Sequence, residues 1–140
     1  MGDGEDKPRV GLAVIITRQD KVLIGRRKGI RGGGLWAFPG GHLNYCESFD
    51  DCARREVTEE TGLEVEVDKK VYAVINDTMP HDPRHYVILF VRALYKNGIP
   101  INKEPDKCYG WVWREWDKLP QPLFHGIQQL ITQGYNPFEK

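Results

Sequence analysis

Three features that would place a chain in a special class of protein are missing from this 140-residue sequence. No apolar run approaches the roughly 20 residues of a membrane span. The first ten residues, MGDGEDKPRV, have neither the basic end nor the apolar centre of a signal peptide. Acidic and basic side chains are equal in number, 20 of each, so no overall field attracts nucleic acid or an anionic membrane. We therefore expect neither as a partner, and any anionic ligand must be bound by a local site.

Cysteine is scarce as well. The three cysteines, Cys46, Cys52 and Cys108, are odd in number and show no CxxC spacing, so neither a disulfide framework nor a zinc knuckle is expected. Reduced thiols are typical of the cytoplasm, which is the location we expect. The length and the absence of repeats favour a single domain over residues 1–140, with a frayed polar tail at 1–8.

Alternating and β-branched residues predict a sheet with few helices. Strands are expected at about 10–16, 21–27, 35–38, 64–77, 85–95 and 110–114, and a last helix at about 122–133. The Gly-rich segment that precedes the first helix is predicted to be a loop interrupted by the short third strand. Because strands outnumber helices without regular alternation, we predict an α+β fold with a mixed sheet covered by helices.

The first helix has clear start and stop signals. Ser48 is a good N-cap, and Asp51 three residues later is close to a capping box. Gly62 can adopt the left-handed conformation that ends a helix. The sequence therefore predicts a helix from Phe49 to Thr61, about three and a half turns long.

Three glutamates crowd the C-terminal half of this helix. At about 100° per residue, Ala53 and Val57 belong to an apolar face, with Glu56 and Glu60 near its centre and Glu59 at its border. A solvated helix end is the ordinary interpretation of a Glu-rich segment, but here it would direct carboxylates towards the core. Unpaired buried carboxylates are costly, and Mg²⁺ typically binds one or two carboxylates together with water and substrate phosphate. The placement therefore predicts a metal–phosphate site.

The same segment matches a known motif in full. From Gly41 to Leu63 it reads GHLNYCESFDDCARREVTEETGL, which agrees with the Nudix hydrolase signature GX5EX7REUXEEXGU, where U is aliphatic. Chance agreement is expected on the order of once in a billion starts, so the chain resembles that family. The segments GRRKGIRGGGLWAFPGGHL, EPDKCYGWVWREWDKLPQPLF and QGYNPF are similar to the small MutT-like nucleotide hydrolases.

This resemblance implies an α/β/α sandwich with a mixed, mainly antiparallel sheet and the motif as a loop–helix–loop. It implies Mg²⁺-dependent hydrolysis of nucleoside triphosphates, in particular oxidised or otherwise modified purine nucleotides, to monophosphate and pyrophosphate; Mn²⁺ is expected to substitute. The alternatives are a pyrophosphatase for ADP-ribose, nucleotide sugars or dinucleotides, and a nucleotide-binding sensor without catalysis, against which the intact REVTEE argues. Resemblance to this branch also suggests a homodimer.

The resemblance also implies roles for individual residues. Glu56 and Glu60 correspond to the main metal ligands, and Glu59 corresponds to a further ligand or a carboxylate that orients water. The backbone carbonyl of Gly40 or Gly41 often completes the metal shell in this family.

Two further roles follow in the same way. Glu47 and Arg55 correspond to a mostly structural pair that orients the loop on the helix. Glu59 is our first candidate for the general base, and Glu104 or Asp106 in the EPDK segment is the second, because related enzymes sometimes supply the acid from that region.

The substrate pocket is less clearly marked. Neighbouring strand residues point to opposite faces, so Arg26 and Arg27 cannot both face the site. The resemblance implies that Arg27, which corresponds to a phosphate-contacting position in related enzymes, is the phosphate contact, and a solvated strand end is the alternative. The run RRKGIR could instead contact RNA, which a neutral protein makes the weaker interpretation. Phe38 and Trp111 are candidate walls for a base, although core packing is the ordinary role of such side chains.

Two other patterns have ordinary interpretations. His81, Asp82 and His85 lie in a segment rich in Pro without a third well-spaced ligand, so we interpret the two histidines as loop residues rather than metal ligands. Gly32–Gly34 resembles a phosphate cradle, but no helix is predicted to begin there, and a flexible loop is the better interpretation.

Overall fold

The computed structural model describes residues 7–29, 32–78 and 85–139. Within these ranges the elements are β1 Arg9–Arg18, β2 Lys21–Arg27, β3 Trp36–Ala37, β4 Gly40–His42, α1 Phe49–Thr61, β5 Glu64–Asp77, β6 Tyr86–Asn97, β7 Cys108–Glu115 and α2 His125–Thr132, with a 3₁₀ turn at Trp116–Lys118. Of the candidate histidine pair, His81 lies outside the described residues, and His85 contacts the Asn76 side chain through its ring.

The strands form one mixed sheet. The order is β3-β2-β1-β6-β5, with β4 also paired to β1 and β7 also paired to β2. The central pair, β1 with β6, is parallel, whereas the other pairs are antiparallel. A mixed, mainly antiparallel sheet was the prediction, and it is confirmed.

The sheet divides between β1 and β2. These strands pair only next to their shared hairpin, at Thr17 with Val22 and at Arg18 with Lys21. Farther along, β1 takes β4 as its antiparallel neighbour over Gly11–Ala13, while β2 pairs with β3 and β7. The two halves therefore diverge, and a cleft opens between them.

Each face of the sheet carries its own apolar cluster. Successive residues of β1 point to opposite faces, so Val14 packs in the cluster that includes Val57 of α1, and Ile15 packs in the cluster that includes Leu130 of α2. Both clusters contain fully buried side chains. The sheet thus lies between two helices, which confirms the predicted α/β/α arrangement.

Helix α1 has the bounds that its capping residues predicted. The Ser48 hydroxyl accepts a hydrogen bond from the Asp51 N–H at 3.1 Å. Gly62 has a φ of 74° and donates its N–H to the carbonyls of Val57 and Thr58, both at 3.2 Å. In the described part of the chain, no helix has the length and apolar character needed to span a membrane.

Three predictions of secondary structure were wrong. Helix α2 begins at His125 instead of about 122, because the preceding residues run extended beside β3: the Trp36 N–H donates to Pro122, and the Phe124 N–H donates back to Trp36. Gly40–His42, expected in a loop, forms strand β4 because its backbone pairs with β1. Strand β7 is longer than the predicted 110–114 because it pairs along most of β2.

Candidate active site

A pocket of about 1100 Å³ lies where the sheet divides. All seven strands contribute to its lining, together with one side of α1, the start of α2 and parts of the segments that follow β2 and precede β7. Cavities that hold small ligands typically measure about 300–1,000 Å³, so this pocket could accommodate a nucleotide. Its walls differ in chemistry: one is acidic, one is basic and the deep end is apolar.

The acidic wall is formed by the three glutamates of α1. Glu56, Glu59 and Glu60 all line the pocket. The Glu56 side chain is only 12% exposed, whereas that of Glu59 is 49% exposed. Glu60 is half-buried, and its Oε1 accepts a hydrogen bond from the Gly40 N–H at 3.3 Å. Two carboxylates therefore point inwards and the third lies at the rim, as helix geometry predicted.

Burial of Glu60 has an electrostatic consequence. Loss of solvent raises the pKa of its carboxyl well above the ordinary value of 4.5, and the adjacent Glu56 raises it further through a hydrogen bond and its charge. The Gly40 N–H opposes this shift, while the charge of Glu104, from another wall, adds to it. The site thus concentrates more negative charge than its own groups neutralise.

Glu47 and Arg55 form a bidentate ion pair, which connects the loop before α1 to the helix. Arg55 Nε lies 2.7 Å from Glu47 Oε2, and Nη2 lies 3.0 Å from Oε1. The guanidinium, together with the Asn44 N–H, lowers the pKa of Glu47 to about 2. Glu47 is absent from the pocket lining.

Arg55 also reaches the acidic wall, but only part of it. Its Nη1 lies 2.7 Å from Glu56 Oε1 and 3.1 Å from Glu59 Oε1, and its Nη2 donates to the His42 carbonyl at 3.1 Å. No contact of Arg55 with Glu60 is found among these. The Arg55 guanidinium therefore holds the carboxylates of Glu56 and Glu59 in place and does not neutralise Glu60.

The residues present fit a divalent cation. Among the described residues, no three His, Cys, Asp or Glu side chains form a ready-made cage for an ion. Mg²⁺ does not require one, because water and substrate phosphate usually supply most of its ligands. Glu56 and Glu60 offer the hard oxygen donors that it prefers. A Cβ at Gly41 would overlap the Glu56 carboxylate, so glycine is what lets the main chain approach this group.

The basic wall comes from the end of β2. Arg27 and Lys28 line the pocket, whereas Arg26 points away, its guanidinium carbon 5.3 Å from the ring centre of Tyr109. The Arg27 guanidinium carbon lies 4.9 Å from the ring centre of Phe124. Arg27 therefore borders the pocket and Arg26 does not, in agreement with strand alternation, which allows only one of them to face the site.

The EPDK segment contributes one of its two candidate acids. Glu104 lines the pocket, and its Oε2 lies 3.8 Å from Lys107 Nζ. Asp106 is exposed in a turn and is not part of the lining. The structure therefore brings Glu104, but not Asp106, to the site.

The two aromatic candidates both line the pocket but differ in setting. The Trp111 indole N–H donates to the Glu60 carbonyl at 3.1 Å, which connects β7 to the end of α1. Phe38 is 5% exposed, and its ring stacks on Trp116 with centroids 6.1 Å apart. Trp111 therefore stands beside the carboxylates, and Phe38 lies in the deep apolar end.

Several lining residues were not anticipated from the sequence. His42, Tyr86 and the start of α2 with Phe124 and Gly126 all border the pocket. Gly126 offered one signal, because a glycine inside an amphipathic helix pattern often marks a close approach. A Cβ at Gly126 would stand 2.6 Å from Ile88 Cδ1, so a larger residue there would require the Ile88 side chain to shift.

Comparison with known proteins adds four similarities: one family model, two relatives and one solved structure. A family model described as NUDIX domain matches residues 7–133. The Arabidopsis thaliana protein named Nudix hydrolase 2 is 30% identical over 126 residues, which cover 87% of this chain but only 45% of that protein. The oxidized purine nucleoside triphosphate hydrolase of Mus musculus is 29% identical over 112 residues, covering 80% of this chain and 69% of that protein. The crystal structure of a MutT NUDIX hydrolase from Burkholderia pseudomallei matches with a TM-score of 0.80 at 30% identity, covering 92% of this chain and 99% of that one.

Proposed function

The chain belongs to the Nudix hydrolase family, and from that premise we propose that it is a Mg²⁺-dependent pyrophosphohydrolase of nucleoside triphosphates. Its products would be a nucleoside monophosphate and pyrophosphate. The observation that carries the proposal is the pocket in which Glu56 and Glu60 face Arg27 across a space of nucleotide size. An oxidised or otherwise modified purine is the substrate we favour, with the name of the mouse relative as support.

Glu56 and Glu60 are the residues that would hold the cation, with the main chain at Gly40–Gly41 beside them. When bound, Mg²⁺ neutralises phosphate oxygens and favours deprotonation of water. The chain's own contribution is to fix the ligands: Arg55 holds Glu56 at 2.7 Å, and the Gly40 N–H holds Glu60 at 3.3 Å.

Arg27 and Lys28 would bind the phosphate chain from the other wall. A guanidinium forms paired hydrogen bonds with phosphate oxygens, and the compact ammonium of lysine supplies a point charge. In the structure, Lys28 Nζ donates to the Pro105 carbonyl at 2.7 Å, which places the ammonium between β2 and the EPDK segment. These cations would offset the phosphate charge that the carboxylates repel.

Hydrolysis requires a carboxylate that accepts a proton from the attacking water. As the water oxygen bonds to the α- or β-phosphorus, the bond from that phosphorus to the bridging oxygen breaks, and the bridging oxygen leaves with the electron pair on pyrophosphate or on the monophosphate, respectively. Glu59 is our first candidate for the base, because its carboxylate lies at the solvent-exposed rim of the pocket. Glu104 on the facing segment is the second. A pH–rate profile of Glu59→Gln beside Glu104→Gln distinguishes them, since the base variant loses the acidic limb.

The deep end of the pocket suits a flat, apolar ring system. Phe38, Ile88, Phe90 and Ile127 are all buried there and border the cavity. Base stacking and apolar contact on such a wall favour a purine over a smaller group.

A substrate panel tests the proposal. The nucleotide products and pyrophosphate would be separated and quantified with Mg²⁺ for ordinary dNTPs, oxidised purine dNTPs, ADP-ribose and a dinucleotide, with a Glu60→Gln preparation as the control for contaminating enzymes. Hydrolysis of ADP-ribose is then detected as AMP, because it releases no pyrophosphate. We expect the highest kcat/KM with a purine triphosphate, pyrophosphate as the product, and activity with Mn²⁺ as well. Faster turnover of ADP-ribose would favour the alternative substrate class, and no turnover of any compound would refute the enzymatic proposal.

A further inference from the structure

His42 and Tyr86 form a stacked pair on the pocket wall. His42 ends β4 and Tyr86 begins β6, and both line the pocket. Their ring centroids are 5.7 Å apart with an interplanar angle of 5°, and His42 Nε2 lies 3.3 Å from the Tyr86 hydroxyl oxygen. A flat surface with two polar atoms at one edge therefore borders the cavity.

The pair lies between the acidic and apolar ends of the pocket. His42 directly follows Gly41, where an added Cβ would overlap the Glu56 carboxylate. Tyr86 is two residues before Ile88 on β6, so both side chains point to the same face of the sheet, and Tyr86 packs against the apolar cluster that contains Ile88. Gly11 of β1 lies between the two strands, and a Cβ there would stand 3.9 Å from Tyr86 Cδ1.

This position corresponds to one part of a nucleotide. If the phosphates lie at the carboxylates and the base at the apolar end, the pentose that joins them must pass the wall between. The face of an aromatic ring packs well against the C–H groups of a sugar, and the imidazole nitrogen and phenol oxygen can exchange hydrogen bonds with a hydroxyl. The stacked pair therefore suits the sugar better than it suits the phosphates or the base.

We propose that His42 and Tyr86 form the sugar subsite of the enzyme, in which the polar edge of the stacked pair binds a hydroxyl of the pentose. The inference rests on the proposed hydrolysis of nucleotides and adds to it a pair of residues that determine sugar specificity. Neither residue belongs to the motif helix, and neither takes part in the chemical step.

The test combines variants of the two residues with substrates that lack one or both hydroxyls of the pentose. Kinetic constants would be measured for a purine ribonucleoside triphosphate and its 2′-deoxy and 2′,3′-dideoxy analogues. Tyr86→Phe and His42→Phe retain a flat ring and remove one polar atom each. Tyr72→Phe serves as the matched control, because it removes a hydroxyl from a half-buried tyrosine of β5 that does not line the pocket. Thermal unfolding confirms that each variant is folded.

The expected result is a loss that depends on the substrate. A single neutral hydrogen bond corresponds to roughly a three- to ten-fold change in kcat/KM. In the parent protein, removal of the hydroxyl that the pair binds should lower kcat/KM by that factor, mainly through KM. In Tyr86→Phe or His42→Phe, the same removal should have little effect, whereas Tyr72→Phe should behave like the parent protein.

If His42 and Tyr86 only stabilise the fold, the loss of kcat/KM should not depend on the substrate. If both variants lower kcat/KM equally for all three substrates, or leave it unchanged, the sugar subsite is refuted even though the enzyme hydrolyses nucleotides. Absence of turnover in the parent protein would instead refute the proposed function, so the two failures are distinguishable.

Discussion

At the scale of single residues, the glutamates of one motif have separate tasks that follow from their surroundings. Glu60 is half-buried beside Glu56 and has a raised pKa, whereas Glu47 is held by Arg55 and has a lowered one. Glu59 lies at the rim with half of its side chain exposed. Three glutamates of the same motif therefore have different electrostatic surroundings in the fold.

Glu60→Gln should abolish most of the activity and leave the fold intact. The amide keeps the shape of the side chain but removes the charge that would bind the cation. We expect kcat/KM to fall by roughly 10³-fold, about 4 kcal/mol of transition-state stabilisation. Steady-state kinetics with saturating Mg²⁺ measures this change. Unfolding without metal should occur at the same temperature as in the parent protein or higher, because the substitution removes the cost of burying an ionisable carboxyl beside Glu56. Near-normal activity would contradict the ligand role.

Glu47→Gln should affect stability in a way that depends on pH. The folded pKa of about 2 lies below the ordinary 4.5, so between these values the unfolded chain binds more protons. The contribution of Glu47 to folding is therefore complete above about pH 4.5 and is lost as the pH falls towards 2. Urea unfolding would be measured at about pH 7 and about pH 3.5. The difference in the free energy of unfolding between parent and variant should be smaller at the lower pH.

A matched control is available for this measurement. Glu66 pairs with Lys96 at 3.5 Å, but its side chain is 69% exposed, so Glu66→Gln should change stability little at either pH. If the difference in free energy of unfolding between Glu47→Gln and the parent protein stays constant or grows as the pH falls, the ion pair with Arg55 is not the source of that difference.

At the scale of elements, helix α1 is defined at both ends by local chemistry. Ser48 caps the start, and Gly62 ends the helix with its left-handed backbone. The end matters for function, because Glu59 and Glu60 occupy the last turn, and the Glu60 carbonyl accepts the Trp111 indole N–H. A shift of the helix end would therefore move the acidic wall.

Gly62→Ala should destabilise the protein. At a φ of 74° a side chain is strained, and the expected cost is roughly 1–2 kcal/mol, or about 2–8 °C in melting temperature. Calorimetry measures this shift. Thr58→Ala, at an exposed position in the same helix, is the control and should be neutral or slightly stabilising. Equal melting temperatures for Gly62→Ala and the parent protein would show that the end of α1 relaxes without cost.

At the scale of the whole molecule, the pocket exists because the sheet divides. Strands β1 and β2 start as a hairpin and then take different partners, so their separation leaves the space in which α1, β4 and β7 meet. The residues that line this space lie between 11 and 127 along the chain. The site thus depends on long-range strand pairing as much as on the motif helix.

Metal should stabilise the whole fold through this site. A ligand that binds only the folded state stabilises it by about 2.7 kcal/mol at a hundred times its Kd, so Mg²⁺ or Mn²⁺ should raise the melting temperature by several degrees, and a chelator should reverse the rise. The Glu56→Gln/Glu60→Gln double variant should lose the shift, whereas Glu66→Gln should keep it. An equal shift in the double variant would place the bound ion elsewhere.

The sequence alone determined the features that depend on local physics. Capping residues defined the bounds of α1, helical periodicity directed Glu56 and Glu60 inwards with Glu59 at the rim, and strand alternation separated Arg27 from Arg26. Each depends on residues within a few positions of one another, so the pattern carries the information. The family motif was recognised for the same reason, whereas the mainly antiparallel sheet was implied by the family resemblance.

The tertiary structure decided whatever depends on partners distant in the chain. Strand β4 forms because β1 lies beside it, α2 begins late because residues 122–124 pair with β3, and Glu104 reaches the site while Asp106 does not. The stack of His42 on Tyr86 joins residues 44 positions apart. No local pattern encodes such contacts, because they arise only when the sheet brings its strands together.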